Sequence, residues 1–337
     1  MAELDRSPAL AEHRLLSALA RNSFDAESLI ALGLLAESRS DYRQAEHYLT
    51  QATVMSRRFR PRWALAYYYA RRGDSSHFWK AAVQAGHTVG ADVRPLYRLA
   101  RAMAVDENAD ARTALGLQSQ PELAAYLQVV LEEGREEEVC AIGDLLESSP
   151  QNRAILQSAA EQLIHQGHLT SGLAFCNRIA PDQDRIDAAS GRSLINGRFD
   201  FHRQRTWDWK LYDVGGVDVV KHAGLKLEFH GTQPDSAVLI EQIVPVLPQR
   251  DYRFRCVYGT ANVRSPSGLR WQVLPLEGNS PLASSSFIGE GQPESGVLSF
   301  RPDQPFVRLS LVYARVFGTV RQQGVLTLQS ADLELIP

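Results

Sequence analysis

The feature that most limits how this chain can fold is a change of regime near residue 193. Residues 1–192 hold 33 Ala against 6 in residues 193–337, and the shorter second part holds 23 of the 39 Gly and Pro residues. Ala lowers the free-energy cost of helix, whereas Gly and Pro punctuate strands with turns. The pattern predicts helices over 1–182, a linker over 183–192, and an all-β domain over 193–337. The hinge is the stretch Leu194-Ile195-Asn196-Gly197-Arg198-Phe199-Asp200, followed by Trp207-Asp208-Trp209.

At 337 residues, 44% apolar and 22% charged, the chain is long enough for about two buried cores. A net charge of −3 gives no global attraction to nucleic acid or anionic lipid. No apolar run reaches membrane-spanning length. The terminus Met1-Ala2-Glu3-Leu4-Asp5-Arg6 lacks the apolar core of a signal peptide, so the sequence as written reads as cytoplasmic. A lost leader or anchor would make it periplasmic or inner-membrane-associated. Cys140, Cys176 and Cys256 are too scattered for a disulfide framework or zinc site and read as small core residues.

In the first part, Ser7-Pro8 opens a helix. Leu32-Gly33, Ser40-Asp41-Tyr42, Ala45, Leu49 and Ala52 then set a spacing that returns with Trp63, Ala66, Ala70 and Gly73-Asp74. It returns again with Leu123, Tyr126-Leu127 and Gly134-Arg135, and with Leu156, Ala159-Ala160 and Gly167-His168. The turn pairs recur about every 33 residues. Over 25–88 and 120–181 this resembles tetratricopeptide repeats, which implies an all-α helical solenoid whose groove binds a protein partner. The 89–118 stretch fits poorly: Asp92 to Val105 predicts one helix and Asp106 to Leu115 a short irregular one. Ser119-Gln120-Pro121-Glu122 restarts the array with a capping box.

Arg57, Arg58, Arg60 and Arg62 form a basic cluster, read either as a complement to a helix carboxyl end or as an anion site. Glu132, Glu133, Glu136, Glu137 and Glu138 read as a solvated face, and His165 and His168 straddle a turn without a carboxylate cluster. Trp63, Tyr67, Tyr68, Tyr69, Phe78 and Trp79 suit inter-helix packing. Tyr68 is the residue assigned to the protein-binding groove, because three consecutive Tyr cannot all point inward.

In the second part the period becomes two: Leu225, Leu227, Phe229; Tyr252, Phe254, Cys256, Tyr258; Leu269, Trp271, Val273; Val307, Leu309, Leu311. Turn signals at Gly215-Gly216, Pro248-Gln249-Arg250, Ser265-Pro266-Ser267-Gly268 and Gly289-Glu290-Gly291 separate eight to ten strands, the content of a two-sheet sandwich. Asn196-Gly197-Arg198-Phe199-Asp200, Gln242-Ile243-Val244-Pro245, Tyr252-Arg253-Phe254 and a closing strand from Ala331 to Ile336 resemble the galactose-binding-like jelly roll of carbohydrate-binding modules. That resemblance implies a β-sandwich that takes a glycan. A structural calcium near the first strand, common in such jelly rolls, would draw on Asp200 and Asp332.

The combination also resembles bacterial proteins that join tetratricopeptide repeats to such a jelly roll. Arg62-Trp63-Ala64-Leu65, Gly73-Asp74…Phe78-Trp79 and Tyr313-x-Arg315…Gly318-Thr319-x-Arg321 carry that likeness. It implies a setting in cell-surface polysaccharide assembly or export.

If the alternating apolar residues face the core, Arg253, Arg255, Arg270, Gln272 and Arg308 point the other way, four Arg on one expected sheet face. One reading pairs them with acids such as Glu228 and Glu241 or docks them on a protein. The other lays an acidic or hydroxyl-rich glycan across them, since guanidinium forks suit carboxylates. Trp207 is either a sugar platform or core, Trp209 and Trp271 core. Asp200, Asp208, Asp213 and Asp218 match no hydrolase motif, and no phosphate loop, nucleophile elbow or metal-ligand spacing occurs. The expectation is a non-enzymatic adaptor with a protein partner and a polysaccharide ligand. A purely structural or docking protein and a carbohydrate-active enzyme are the alternatives.

Overall fold

The computed structural model describes residues 8–88, 90–133, 135–202, 206–221, 224–289 and 294–336. Ser7, Gly134, Glu290, Gly291 and the first six residues, which figured in the expectations above, lie outside them. By internal contacts the chain divides into two compact units, Met1–Ala159 and Ala160–Pro337.

Among the described residues the helices are α1 (Pro8–Arg21), α2 (Ala26–Ser38), α3 (Tyr42–Met55), α4 (Phe59–Arg72), α5 (Ser75–Gly86), α6 (Arg94–Glu107), α7 (Ala111–Leu115), α8 (Gln120–Glu133), α9 (Glu136–Gly143), α10 (Arg153–His165) and α11 (Leu169–Ile179). They form the expected tetratricopeptide-like hairpins. Each fully described turn inside a pair is closed by a left-handed residue: Ser40, Gly73, Asn108 and Gly167 have φ of 63°, 67°, 52° and 87°. An Asp then caps the second helix of the first three pairs. Asp41 accepts from Gln44 N, Asp74 from His77 N and Asp110 from Arg112 N.

The stretch that fits the repeat poorly therefore folds as one. Asn108 stands where Gly is usual, and the second helix, α7, is only five residues long. The restart at Ser119 behaves as read, with the Glu122 carboxylate accepting from Ser119 N at 3.1 Å.

Adjacent pairs are set side by side by ion pairs one repeat apart. Arg60 meets Glu27 at 3.0 Å, the Arg71 Nε donates to Glu37 at 2.8 Å, and the Arg98 Nε donates to Glu132 at 3.1 Å. Arg101 reaches Glu138 at 2.8 Å and Glu133 at 3.6 Å. Glu132, Glu133 and Glu138 are thus partners of α6 rather than only a solvated face. Each exposed pair contributes at most about 1 kcal/mol, so these bridges set register more than they stabilise. Packing does the stabilising, around buried Ala45, Leu49 and Ala52 against α2.

The second unit contains two five-stranded antiparallel sheets. Their strands are β1 (Lys210–Leu211), β2 (Val217–Lys221), β3 (Leu225–His230), β4 (Ser236–Pro245), β5 (Tyr252–Ala261), β6 (Leu269–Pro275), β7 (Ala283–Ser284), β8 (Glu294–Phe300), β9 (Phe306–Ala314) and β10 (Gln323–Leu335). One sheet runs β1-β4-β9-β6-β7 and the other β2-β3-β10-β5-β8. Only the β2–β3 and β6–β7 connections stay within a sheet; every other connection crosses to the opposite one, giving a jelly-roll sandwich. All the alternating residues assigned to the core are buried between the sheets.

The Asn-Gly segment is its staple. The Asn196 amide donates to both Asp208 carboxylate oxygens at 3.0 and 3.1 Å, its Oδ1 accepts from Asp200 N, and its carbonyl accepts from the Trp209 indole at 3.1 Å. A Cβ on Gly197 would collide with the Ala331 carbonyl, so only Gly lets this segment lie beside β10. The stretch read as a linker is ordered: the Asn177 amide bonds the Ile186 backbone in both directions, at 2.8 and 2.9 Å. Among the described residues no helix is long and apolar enough to cross a membrane.

Two glycines separate propensity from packing. A Cβ on Gly33 would stand 2.6 Å from Cγ of the buried Leu49, whereas one on Gly86 would meet only Leu96 Cδ2 at 3.7 Å and Tyr97 Cε1 at 3.8 Å. Overpacking costs about 1–3 kcal/mol and outweighs the ~1 kcal/mol helix gain of Ala over Gly. Urea denaturation followed by circular dichroism should show Gly33→Ala destabilised and Gly86→Ala unchanged or stabilised.

Candidate functional site

The expected ligand residues other than Trp207, five in all, do not share a face. Because the chain crosses sheets between β5 and β6, Arg253 and Arg255 lie on the outer face of β2-β3-β10-β5-β8, and Arg270, Gln272 and Arg308 on the outer face of β1-β4-β9-β6-β7. Arg253 stands opposite Glu334 and Arg255 opposite Asp332 in register. These cross-strand acids, not Glu228, are what Arg253 and Arg255 oppose.

The outer face of β1-β4-β9-β6-β7 is built differently. In register, Lys210, Glu241, Ser310, Gln272 and Ser284 form one row that crosses all five strands. At ~4.8 Å per strand this row spans about 19 Å. Glu241 accepts from the Ser310 hydroxyl at 2.9 Å and from the Tyr212 hydroxyl at 3.2 Å. The Gln272 amide donates to the Ser284 hydroxyl at 3.3 Å. Arg308 stands 3.8 Å from Glu241 and donates to the carbonyls of Pro275 and Gly278 at 3.1 and 3.0 Å. It is therefore spent on tethering the loop after β6.

An aromatic ring stands at each side of the row. Tyr212 lies beneath Lys210 Nζ at 4.7 Å, and Phe287, 41% exposed, lies beneath the Arg270 guanidinium at 5.7 Å. Arg270 Nε is buried with no hydrogen-bond partner. Ser310 is fully buried and the Glu241 side chain only 12% exposed, so the groups open to a ligand are Lys210 at one end of the row and Gln272 and Ser284 at the other, with the two rings beside them.

Two other assignments are corrected. Trp207 is only 5% exposed: its indole N–H donates to the Ile243 carbonyl at 2.6 Å and its ring packs 6.0 Å from Phe306, so it is core and not a platform. Trp209 and Trp271 are core as read, 5.7 Å apart. Tyr68 is 3% exposed, with its hydroxyl donating to the Tyr42 carbonyl at 2.9 Å, while Tyr67 is the 43% exposed one. Helical phase decides this, and the spacing alone left it open. Asp200 and Asp332 line separate concavities, and Asp332 stands opposite Arg255 in register. Among the described residues no group of three or more His, Cys, Asp or Glu could hold a metal ion.

Of the carboxylates weighed for catalysis, Asp208 is bonded to Asn196 and Asp218 to His230 at 2.9 Å. Burial pushes the Cys176 and Cys256 thiols up to about 12, consistent with core roles. Sequence reasoning missed Lys210, Tyr212, Glu241, Ser310, Ser284 and Phe287 as parts of one face. Their common row exists only through strand pairing.

No protein-family model and no curated protein matches this sequence significantly. Among solved structures, the carbohydrate-binding module CBM4 aligns with 43% of this chain and 100% of its own, at 11% identity and a TM-score of 0.33. TmCBM61, solved in complex with β-1,4-galactotriose, aligns with 43% of this chain and 99% of its own, at 14% identity and a TM-score of 0.28. YrrB, a tetratricopeptide-repeat protein with an unusual peptide-binding site, aligns with 50% of this chain and 93% of its own, at 14% identity and a TM-score of 0.27. The fold assignment rests on the helices and strands described above.

Trp207→Phe keeps an aromatic ring but removes the indole N–H, leaving the Ile243 carbonyl without that donor and a small void beside Phe306. It should lower stability by about 1–3 kcal/mol, the penalty of an unsatisfied buried acceptor, in thermal or urea denaturation.

Proposed function

We propose that the chain is a non-enzymatic adaptor whose sandwich takes a glycan on the outer face of β1-β4-β9-β6-β7 and whose helical repeats hold a protein partner. The observation that carries the glycan reading is the polar row from Lys210 to Ser284 between the rings of Tyr212 and Phe287. Lys210 at one end and Gln272 with Ser284 at the other can bond hydroxyls, the Glu241–Ser310 pair holds the strands between them, and the flanking rings can stack on sugar faces. On the opposite face Arg253 and Arg255 stand opposite acids, and the described residues form no such row. The repeat architecture supports the protein partner, since stacked helix hairpins present an extended surface. Polysaccharide assembly or export is the setting that the resemblance implies.

The test is binding of the full chain to neutral and acidic polysaccharides by affinity electrophoresis. Saturable retardation by one class is expected. Gln272→Ala and Phe287→Ala should each weaken it about tenfold, a loss of ~1.4 kcal/mol. Arg253→Ala, on the other face, should leave it unchanged. No retardation by any polysaccharide, or equal loss in the Arg253 variant, would refute the site.

A further inference from the structure

The helical unit carries a second feature that the glycan face does not use. Along α4, Phe59, Trp63 and Tyr67 recur every four residues and stack ring on ring. Phe59 and Trp63 are 6.2 Å apart and 7° from parallel; Trp63 and Tyr67 are 5.3 Å apart and 14° from parallel. Arg71 continues the stack, its guanidinium 4.2 Å from the centre of the Tyr67 ring. The strip is about 18 Å long, at 1.5 Å rise per residue.

None of this belongs to the buried side of α4, which is Pro61, Ala66, Tyr68 and Tyr69. The pairs Arg60–Glu27 and Arg71–Glu37 fix α2 beside α4 one repeat out of step. That register brings Leu34, 40% exposed, level with Tyr67. In a stack the ring faces cover one another and the rims remain available, and aromatic rims carry the positive part of the quadrupole.

The charges around the strip add to this. Arg60 and Arg71 are balanced by Glu27 and Glu37. Arg57 and Arg58, exposed in the turn leading into α4, pair with no acidic side chain among the described residues. Arg62 bonds the Gln84 carbonyl at 2.8 Å and the Thr88 hydroxyl at 3.3 Å, and Arg72 lies 3.6 Å from the centre of the Tyr42 ring. The strip is thus apolar, electropositive at its rims, and headed by two exposed guanidinium groups with no acidic partner among the described residues.

We propose that this strip is where the helical repeats take their protein partner, and that the partner segment is an extended acidic peptide with interspersed apolar residues. The inference rests on the reading that the repeats bind a protein and adds the chemistry of the bound segment. Apolar side chains lie against Leu34 and the ring rims, and carboxylates meet Arg57 and Arg58. About five or six extended residues match the strip, at ~3.3 Å each.

The test is selection of a displayed library of random dodecapeptides on the full chain, followed by calorimetric titration of the consensus peptide. A net-negative consensus containing apolar residues is expected. Its affinity should fall as NaCl rises from ~50 to ~300 mM. Tyr67→Ala, and Arg57→Glu with Arg58→Glu, should each weaken it at least about tenfold. These side chains are exposed, so an unchanged melting curve shows that the variants remain folded. A neutral or basic consensus overturns the proposal and leaves the protein-binding reading standing. Unchanged affinity in both variants, or equal displacement of the peptide by heparin from the native and Tyr67→Ala chains, also overturns it. No enrichment at all removes both.

Discussion

The sandwich depends on how the segment that leads into it is held. Residues 194–200 enter before the first strand and belong to neither sheet, so their backbone groups need partners from elsewhere. Gln242, buried in β4, supplies two: its amide donates to the Ile195 carbonyl at 3.0 Å and its oxygen accepts from the Ile195 N–H at 3.2 Å. Asn196, at φ 53°, gathers Asp208, the Asp200 N–H and the Trp209 indole around one side chain and one carbonyl. The Gly197 carbonyl then accepts from Ala331 N, which fixes this segment against β10. The residues that carry the jelly-roll resemblance in the sequence are here a set of satisfied, part-buried hydrogen bonds. That is why the Asn-Gly and Gln-x-Val motifs predict the fold and say little about the ligand.

Once the segment is fixed, the chain must cross from one sheet to the other at nearly every connection. Period-two alternation in β5, β6 and β9 was legible, because each strand buries one face and exposes the next residue. Which sheet a strand joins is decided by pairing between segments dozens of residues apart, and no local pattern records it. The grouping of Arg253 and Arg255 with Arg270 failed for that reason. The row through Glu241, Ser310 and Gln272 was invisible for the same one, since β4, β9 and β6 meet only in the sheet.

The helical half was more legible because its contacts are local. Spacing alone located Gly73-Asp74 and the restart at Ser119. It failed where chemistry could be replaced. Ser40 and Asn108 adopt the left-handed conformation that Gly adopts at position 73; Asn is among the side chains that tolerate it, and Ser pays some strain to do so. A repeat built on Asn108 with a five-residue second helix therefore escapes a pattern built on Gly. Phase within a helix is a second blind spot. Tyr67, Tyr68 and Tyr69 are equivalent by composition, yet Tyr68 and Tyr69 are buried with bonded hydroxyls and Tyr67 is stacked on the surface.

The distribution of charge in the helical unit argues for a division of labour. Glu27, Glu37, Glu132 and Glu138 each find an Arg about one repeat away, so these charges are consumed in holding neighbouring hairpins in register. Such pairs are individually weak, and their value lies in alignment. Arg57 and Arg58 stand outside this scheme. They follow the carboxyl end of α3, where its dipole welcomes positive charge, but precede α4, whose amino end does not. Arg58 is the α4 N-cap and makes no side-chain capping bond. A Ser or Asp at that position would cap the helix by up to about 2 kcal/mol better. The helix therefore forgoes available stability at the head of its aromatic strip, the pattern expected where a surface is shaped by what it binds rather than by folding alone.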